Sequence, residues 1–205
     1  ITLKEKLIGN NNATIDNSIN NLALSYKNSG NYKLALNYYS QILQSENLIF
    51  ERPEIYALVL DNYANTLYLS KNFEELPGLY LKALKISDSI KFEGYNSIII
   101  NQHLADYYND NNQKDSAKYY AYRAKDISKQ YHNDDLLKSL LLLSKIEEDS
   151  IAEKYYNEYI KLNDSLVKNE RTIRNKFARI RFETKEIEQK NIQIAREKLW
   201  LTIIS

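Results

Sequence analysis

The sequence predicts an all-α fold: a stack of helical hairpins followed by one long helix. Three observations carry this. Apolar residues at helical spacing recur every 41 residues, the residues that punctuate turns are scarce, and from residue 159 onward no helix breaker occurs. There are 4 Gly and 2 Pro in 205 residues. Average usage would supply roughly 14 and 10. Such scarcity argues against sandwiches, barrels and Gly-rich phosphate loops. Lys plus Arg is 28 and Asp plus Glu is 27, a net charge of +1. That balance points to neither a nucleic-acid binder nor an acidic tail. With no Cys, disulfides, Cys-zinc sites, iron–sulfur clusters and thiol nucleophiles are excluded. Two histidines, His103 and His132, leave little for His-based catalysis or metal binding.

Residues 1–8 read as the end of an earlier helix, and Gly9-Asn10-Asn11-Asn12 as a loop. The chain begins at Ile1 and contains no Met, as expected of a processed piece. The first hairpin follows. Ile15, Ile19, Leu22, Ala23 and Tyr26 fall on one helix face. Asn28-Ser29-Gly30-Asn31 breaks the pattern, and a second helix carries Ala35, Tyr39, Ile42 and Leu43 inward. One hairpin cannot bury that apolar face alone.

The pattern returns 41 residues later, and again after another 41. Ala23, Ala64 and Ala105 align, as do Leu22, Tyr63 and Leu104, and Tyr26, Leu67 and Tyr108. In the second helix Ala35, Leu76 and Ala117 align, then Tyr39, Tyr80 and Ala121, then Ile42, Ala83 and Ala124. A fourth copy follows at a step of 35 with Leu140, Leu143, Ala152, Tyr156 and Tyr159. Small residues at fixed points let helices approach closely, and large neighbours fill the grooves. The second copy carries Pro77-Gly78 inside its second helix, where Gly78 is expected to weaken the helix and Pro77 is tolerable only in the first turn. The tyrosine pairs 38–39, 107–108, 119–120 and 155–156 are expected to pack between helices with one ring outward.

This pattern resembles the tetratricopeptide repeat. Ile19, Leu22-Ala23, Tyr26, Ala35 and Tyr39 match it in the first copy. Leu60, Tyr63-Ala64, Leu67, Leu76 and Tyr80 follow in the second, and Asn101, Leu104-Ala105, Tyr108, Ala117 and Ala121 in the third. The likeness covers residues 13–162. It departs in lacking the family's Trp and closing Pro, and in a 41-residue step where the family has about 34. Helices one turn longer would absorb the difference. The resemblance implies a tetratricopeptide-like helical-hairpin solenoid of about four hairpins over residues 1–162, acting as a non-catalytic peptide- or protein-binding domain.

Past residue 159, Tyr159, Leu166, Ile173, Ile180, Ile187, Ile194 and Leu201 stand at steps of seven. That is a coiled-coil seam or a long helix on a partner. The other seam position holds Glu170, Phe177, Thr184, Asn191 and Lys198, so the seam is half-built. A buried Asn191 could fix register in a parallel pair, giving a weak homodimer. Leu162, Leu166, Ile173 and Phe177 are expected to cap the repeats. Residues 163–198 thus read as a capping and coiled-coil helix. Between Lys168 and Lys198 ten Lys or Arg stand against five acids, a net of +5. A solvated face, a membrane surface and nucleic acid all suit that charge, and sparse aromatics disfavour direct nucleic-acid binding. Leu199-Trp200-Leu201-Thr202-Ile203-Ile204 reads as the start of a membrane span near Trp200, or as an amphipathic helix end packed on the domain.

The runs 162–166 and 175–183 are similar to the segment joining repeats to a membrane span in tetratricopeptide-repeat signalling proteins of Bacteroidetes-type bacteria. That resemblance implies a periplasmic sensor, one span, and a cytoplasmic output such as a DNA-binding domain or a histidine kinase. The alternative is a soluble, cytoplasmic adaptor without an anchor.

The first helix of each copy would line a concave groove. Two residues before each aligned Ala stand Asn21, Asn62 and His103, with Lys138 in the fourth copy. One after it stand Leu24, Asn65, Asp106 and Leu141. A carboxamide both donates and accepts, so Asn21 and Asn62 could hold the backbone of an extended peptide. The expected partner-binding set is therefore Asn21, Asn62, Asn65, His103, Asp106 and Lys138, with no metal, cofactor or catalytic residue. His132 is expected in a loop or cap. Asp134-Asp135 and Glu147-Glu148-Asp149 are expected as solvated caps, because calcium-loop spacing is missing.

Overall fold

The computed structural model describes the backbone of residues 3–45, 47–90, 94–131 and 133–204, with side chains from 15 to 196 within those ranges. Among the described residues every regular element is helical: α1 (Leu3–Asn28), α2 (Tyr32–Leu43), α3 (Leu48–Glu51), α4 (Pro53–Leu69), α5 (Gly78–Ser89), α6 (Tyr95–Asp110), α7 (Lys114–Tyr131), α8 (Asn133–Ile146) and α9 (Asp149–Ile204). The chain divides into two units, residues 1–158 and 159–205.

Three helices of the first unit end in the same turn, spaced by 41 residues. Gly30, Lys71 and Asn112 have φ of 79°, 61° and 58°. The next residue's N–H reaches back five positions each time: Asn31 to the Tyr26 carbonyl at 2.9 Å, Asn72 to Leu67 at 2.9 Å, Gln113 to Tyr108 at 2.8 Å. This left-handed residue with its 6→1 bond is the Schellman stop. Asn31 then caps α2, its carboxamide oxygen accepting from the Leu34 N–H at 3.5 Å. Side chains keep the same period. Tyr26 stacks on Tyr38 at 5.7 Å and 5°, and 82 residues on Tyr108 stacks on Tyr120 at 5.5 Å and 5°. In the middle copy Leu67 and Leu79 take those places.

Helices pack in sequence, α1 on α2, α2 on α4, α4 on α5, α5 on α6, α6 on α7, and α7 on α8. In addition α1 meets α4, α4 meets α6 and α6 meets α8. Among the described residues these four form a continuous row. The aligned alanines are the close-approach points: Ala23, Ala64, Ala105, Ala35, Ala83, Ala117, Ala121 and Ala124 are all 0% exposed. Around them Tyr39, Ile42, Leu48 and Val59 fill one core cluster. Leu60, Leu67, Tyr80, Ile100 and Leu104 fill the next.

Several expectations need correcting. α1 runs through Gly9–Asn12, where a loop was expected. Each of those residues costs under about 1 kcal/mol in a helix, too little to stop one already propagating. Ile15 and Leu22 are exposed, so the buried stripe of α1 is narrower than its apolar spacing suggested. Leu76 is buried but lies before α5 and outside any helix, because Pro77 serves as that helix's N-cap. In the fourth copy Tyr155 is buried and Tyr156 exposed, one position off the expected register. The long step is not met by longer helices throughout. α2 and α5 have 12 residues each, and part of the extra length forms the one-turn α3.

The acidic clusters are not all solvated. Asp135 and Glu147 are buried. Glu147 takes Lys118 Nζ at 2.7 Å and the Tyr122 hydroxyl at 2.8 Å. Burial pushes its carboxyl up, but these two hydrogen bonds outweigh that and hold it below the usual range. Glu148 pairs with Lys114.

In the second unit, α9 is helical through Ile204. Every described side chain from 168 to 196 is exposed. Ile173 and Phe177, expected to cap the repeats, are 54% and 61% exposed. Among the described residues no helix is long and apolar enough to cross a membrane. The side chains of 199–205, including Trp200, and the whole of His132 lie outside the described residues.

Candidate binding face

The row of α1, α4, α6 and α8 carries a chain of polar contacts that steps from copy to copy. α1 supplies Asn20 and Lys27, and α4 supplies Asp61, Asn62 and Asn65. The Asn62 carboxamide donates to Asn20 Oδ1 at 3.2 Å. Lys27 Nζ donates to Asn62 Oδ1 and Asn65 Oδ1, both at 3.3 Å. Asn65 Nδ2 donates to the Tyr80 hydroxyl at 3.5 Å. Burial pulls the Lys27 ammonium below its ordinary range, and the nearby Asp61 carboxylate partly offsets this.

The next step joins α4 to α6. Asp61 is 1% exposed, and its two oxygens face His103 Nδ1 at 2.9 and 3.0 Å. The His103 ring also lies 5.9 Å from Tyr80. Both contacts, Asn62 to Asn20 and His103 to Asp61, span 42 residues. One polar joint is thus used twice, with a residue at one register position reaching the position before it in the preceding copy. Gln102 continues toward α8, donating to the Asp135 carbonyl at 3.1 Å and to Ser139 Oγ at 3.0 Å.

Between α6 and α8 the face opens into a cavity of about 320 Å³. Gln102, His103 and Asp106 line one wall, and Lys138, Leu141 and Lys145 the other. Asp106 is open to solvent at the cavity mouth yet walled by neighbouring side chains. Loss of bulk water pushes its carboxyl above the ordinary range, with His103 and Lys145 pulling the other way. Lys138 leans on Asp135 at 3.4 Å. Cations and a carboxylate across an open slot suit a polar, extended segment better than a compact apolar ligand. Among the described residues no group of three His, Asp or Glu is placed to hold a metal ion.

The sequence-predicted set divides in three. His103, Asp106 and Lys138 line the same cavity. Asn62 and Asn65 are brought together, but each is 8% exposed and already bonded through Lys27. Asn21 is exposed on α1, and the carboxamide that Asn62 Nδ2 reaches is that of Asn20 instead. Sequence reasoning missed Asn20, Lys27, Asp61, Gln102 and Lys145. The signal for three of them was present: Asn20, Asp61 and Gln102 share one register position at steps of 41.

No family model matches the chain, and no curated protein matches it.

Proposed function

We propose that the first unit is a tetratricopeptide-like repeat domain that binds an extended peptide or protein segment, without catalysis, along α1, α4, α6 and α8. The repeat reading is supported by the three Schellman stops at 41-residue steps and the two stacked tyrosine pairs 82 residues apart. The binding reading is carried by one observation: His103, Asp106, Lys138 and Lys145 converge on an open slot between adjacent first helices. An extended segment presents backbone amides and alternate side chains, and such a slot can meet both. The buried carboxamides of Asn62 and Asn65 then serve as supports. Lys27, with two of its three N–H groups engaged, and the α6–α8 charges supply the contacts.

The test is selection of binders from a phage-displayed random dodecapeptide library. Selected peptides are expected to lose roughly tenfold or more in affinity when Lys138 and Lys145 are both changed to Glu, because opposite-charge contacts become like-charge ones. Tyr119→Ala, an exposed ring on α7, serves as the control and should bind as the parent does. Failure to enrich any peptide, or equal loss in both variants, overturns the reading.

Two settings for this domain follow. In one it is the sensor of a membrane-anchored regulator, a reading supported by the unbroken helix leading into residues 199–204. In the other it is an adaptor without an anchor. The way α9 pairs separates the two.

A further inference from the structure

Among the described residues the second unit presents an exposed apolar stripe. Ile173, Ile180, Ile187 and Ile194 are 54%, 43%, 59% and 48% exposed, and Phe177 beside them is 61% exposed. A stripe at steps of seven is a coiled-coil face. With the isoleucines at position d, position a holds Glu170, Phe177, Thr184 and Asn191. The flanks follow: Lys176, Glu183 and Lys190 at g, and Arg174, Arg181, Glu188 and Ala195 at e. All the charged flank residues are exposed.

Flank charges choose the orientation of a pair. In a parallel, in-register pair each g residue meets the e residue five positions on. That sets Lys176 against Arg181 and Glu183 against Glu188, each twice by symmetry, so all four contacts are like-signed. In an antiparallel pair g meets g and e meets e. Centring the pair between Lys185 and Glu186 sets Glu183 against Lys190 and Arg181 against Glu188. Each again occurs twice, and all four contacts are opposite-signed. The seam closes in the same register: Phe177 faces Ile194, Ile180 faces Asn191 and Thr184 faces Ile187, so every layer from 177 to 194 contains an isoleucine. A slip of one heptad either way sets Arg181 or Glu188 against itself. Asn191 facing Asn191 would favour the parallel pair by one hydrogen-bonded layer, which does not match four like-signed contacts exchanged for four opposite-signed ones. Glu183 already pairs along its own helix with Arg179 at 3.2 Å and can share its second oxygen across the seam.

We propose that residues 177–194 of α9 form an antiparallel two-stranded coil with the same segment of a second copy of this chain, centred between Lys185 and Glu186. The inference rests on α9 alone and is independent of the groove. It also bears on setting. From the centre to Ile204 is about 28 Å of helix at 1.5 Å per residue. The two C-terminal ends therefore point apart, and two copies cannot pair this way while both enter one bilayer. Antiparallel pairing assigns the domain to the adaptor setting.

The chain has no native Cys, so single substitutions report cleanly. Full chains bearing Ile180→Cys and Asn191→Cys, tagged to differ in mass, are mixed and oxidised. Disulfides are expected between the two variants and not within either, because in the antiparallel pair each cysteine sits about 16 Å along the axis from its own copy. Sedimentation equilibrium supplies the second reading. Arg181→Glu or Glu188→Arg alone should weaken self-association roughly tenfold, and the double variant should restore it. In a parallel pair each single change creates an attraction with Lys176 or Glu183 and strengthens association. Self-disulfides with strengthened single variants overturn the proposal in favour of the parallel pair. Monomers throughout, with no disulfide, overturn it outright. Neither result touches peptide binding by the first unit.

Discussion

Tyr39 and Tyr107 both lie against the core but differ at the hydroxyl. Tyr39 is 0% exposed, and its hydroxyl has no hydrogen-bond partner among the described residues. Burial and the nearby Asp61 carboxylate hold its proton on. Tyr107 donates to the Leu76 carbonyl at 3.1 Å, closing the turn before Pro77. An unmade buried hydrogen bond costs more than a made one contributes. Tyr39→Phe should therefore leave stability unchanged or raise it by about 1 kcal/mol, while Tyr107→Phe should lower it by about 1 kcal/mol. Urea denaturation checks both, and equal losses would contradict the assignment. This difference was not legible in the sequence, where both tyrosines read as members of pairs packed between helices. The same holds at the proposed binding face. A register of aligned residues identified the level of the site but not which neighbour turns inward. The contact between first helices spans 42 residues, one more than the repeat, so Asn20 and not Asn21 meets Asn62.

At the scale of elements, the repeated stop is where sequence and backbone agree least and the structure explains most. The same left-handed turn is built from Gly30, Lys71 and Asn112. Only the glycine announces it. Lys71 adopts that conformation because the flanking helices demand it, at a steric cost that glycine avoids. A Cβ added at Gly30 would meet no atom within 4 Å, so substitution there reads backbone strain alone. Gly30→Ala should cost about 1 kcal/mol, and Lys71→Gly should gain about 0.5 kcal/mol. Thermal unfolding of the two variants should move in opposite directions, and shifts of the same sign would contradict a shared turn. The small residues were legible for a related reason. Alanines at helix crossings are fixed by distance, and distance repeats with the period. Pro77 broke the rule locally, delaying α5 to Gly78 and leaving Leu76 to fill its core position from a turn.

For the whole molecule, the sequence pattern carried the helical class and the 41-residue period because burial imposes both on residue spacing. It could not assign what the long helix does. A heptad stripe looks the same whether it caps a domain, pairs or enters a membrane; in the structure Ile173 and Phe177 stand exposed on it. A row of polar positions on the first helices was legible, but which of them engage one another and which stay open was not. Lys27 closes the Asn62–Asn65 end, and the α6–α8 slot stays open. The central claim is that α1, α4, α6 and α8 form one binding face. The most direct measurement is an NMR titration of the isotope-labelled chain with a library-selected peptide, following backbone amide shifts. The account predicts a contiguous set of shifts along the exposed sides of α6 and α8, extending to α4 and to Lys27 of α1, with α2, α5 and α7 silent. Shifts concentrated on α2, α5 and α7 would contradict it.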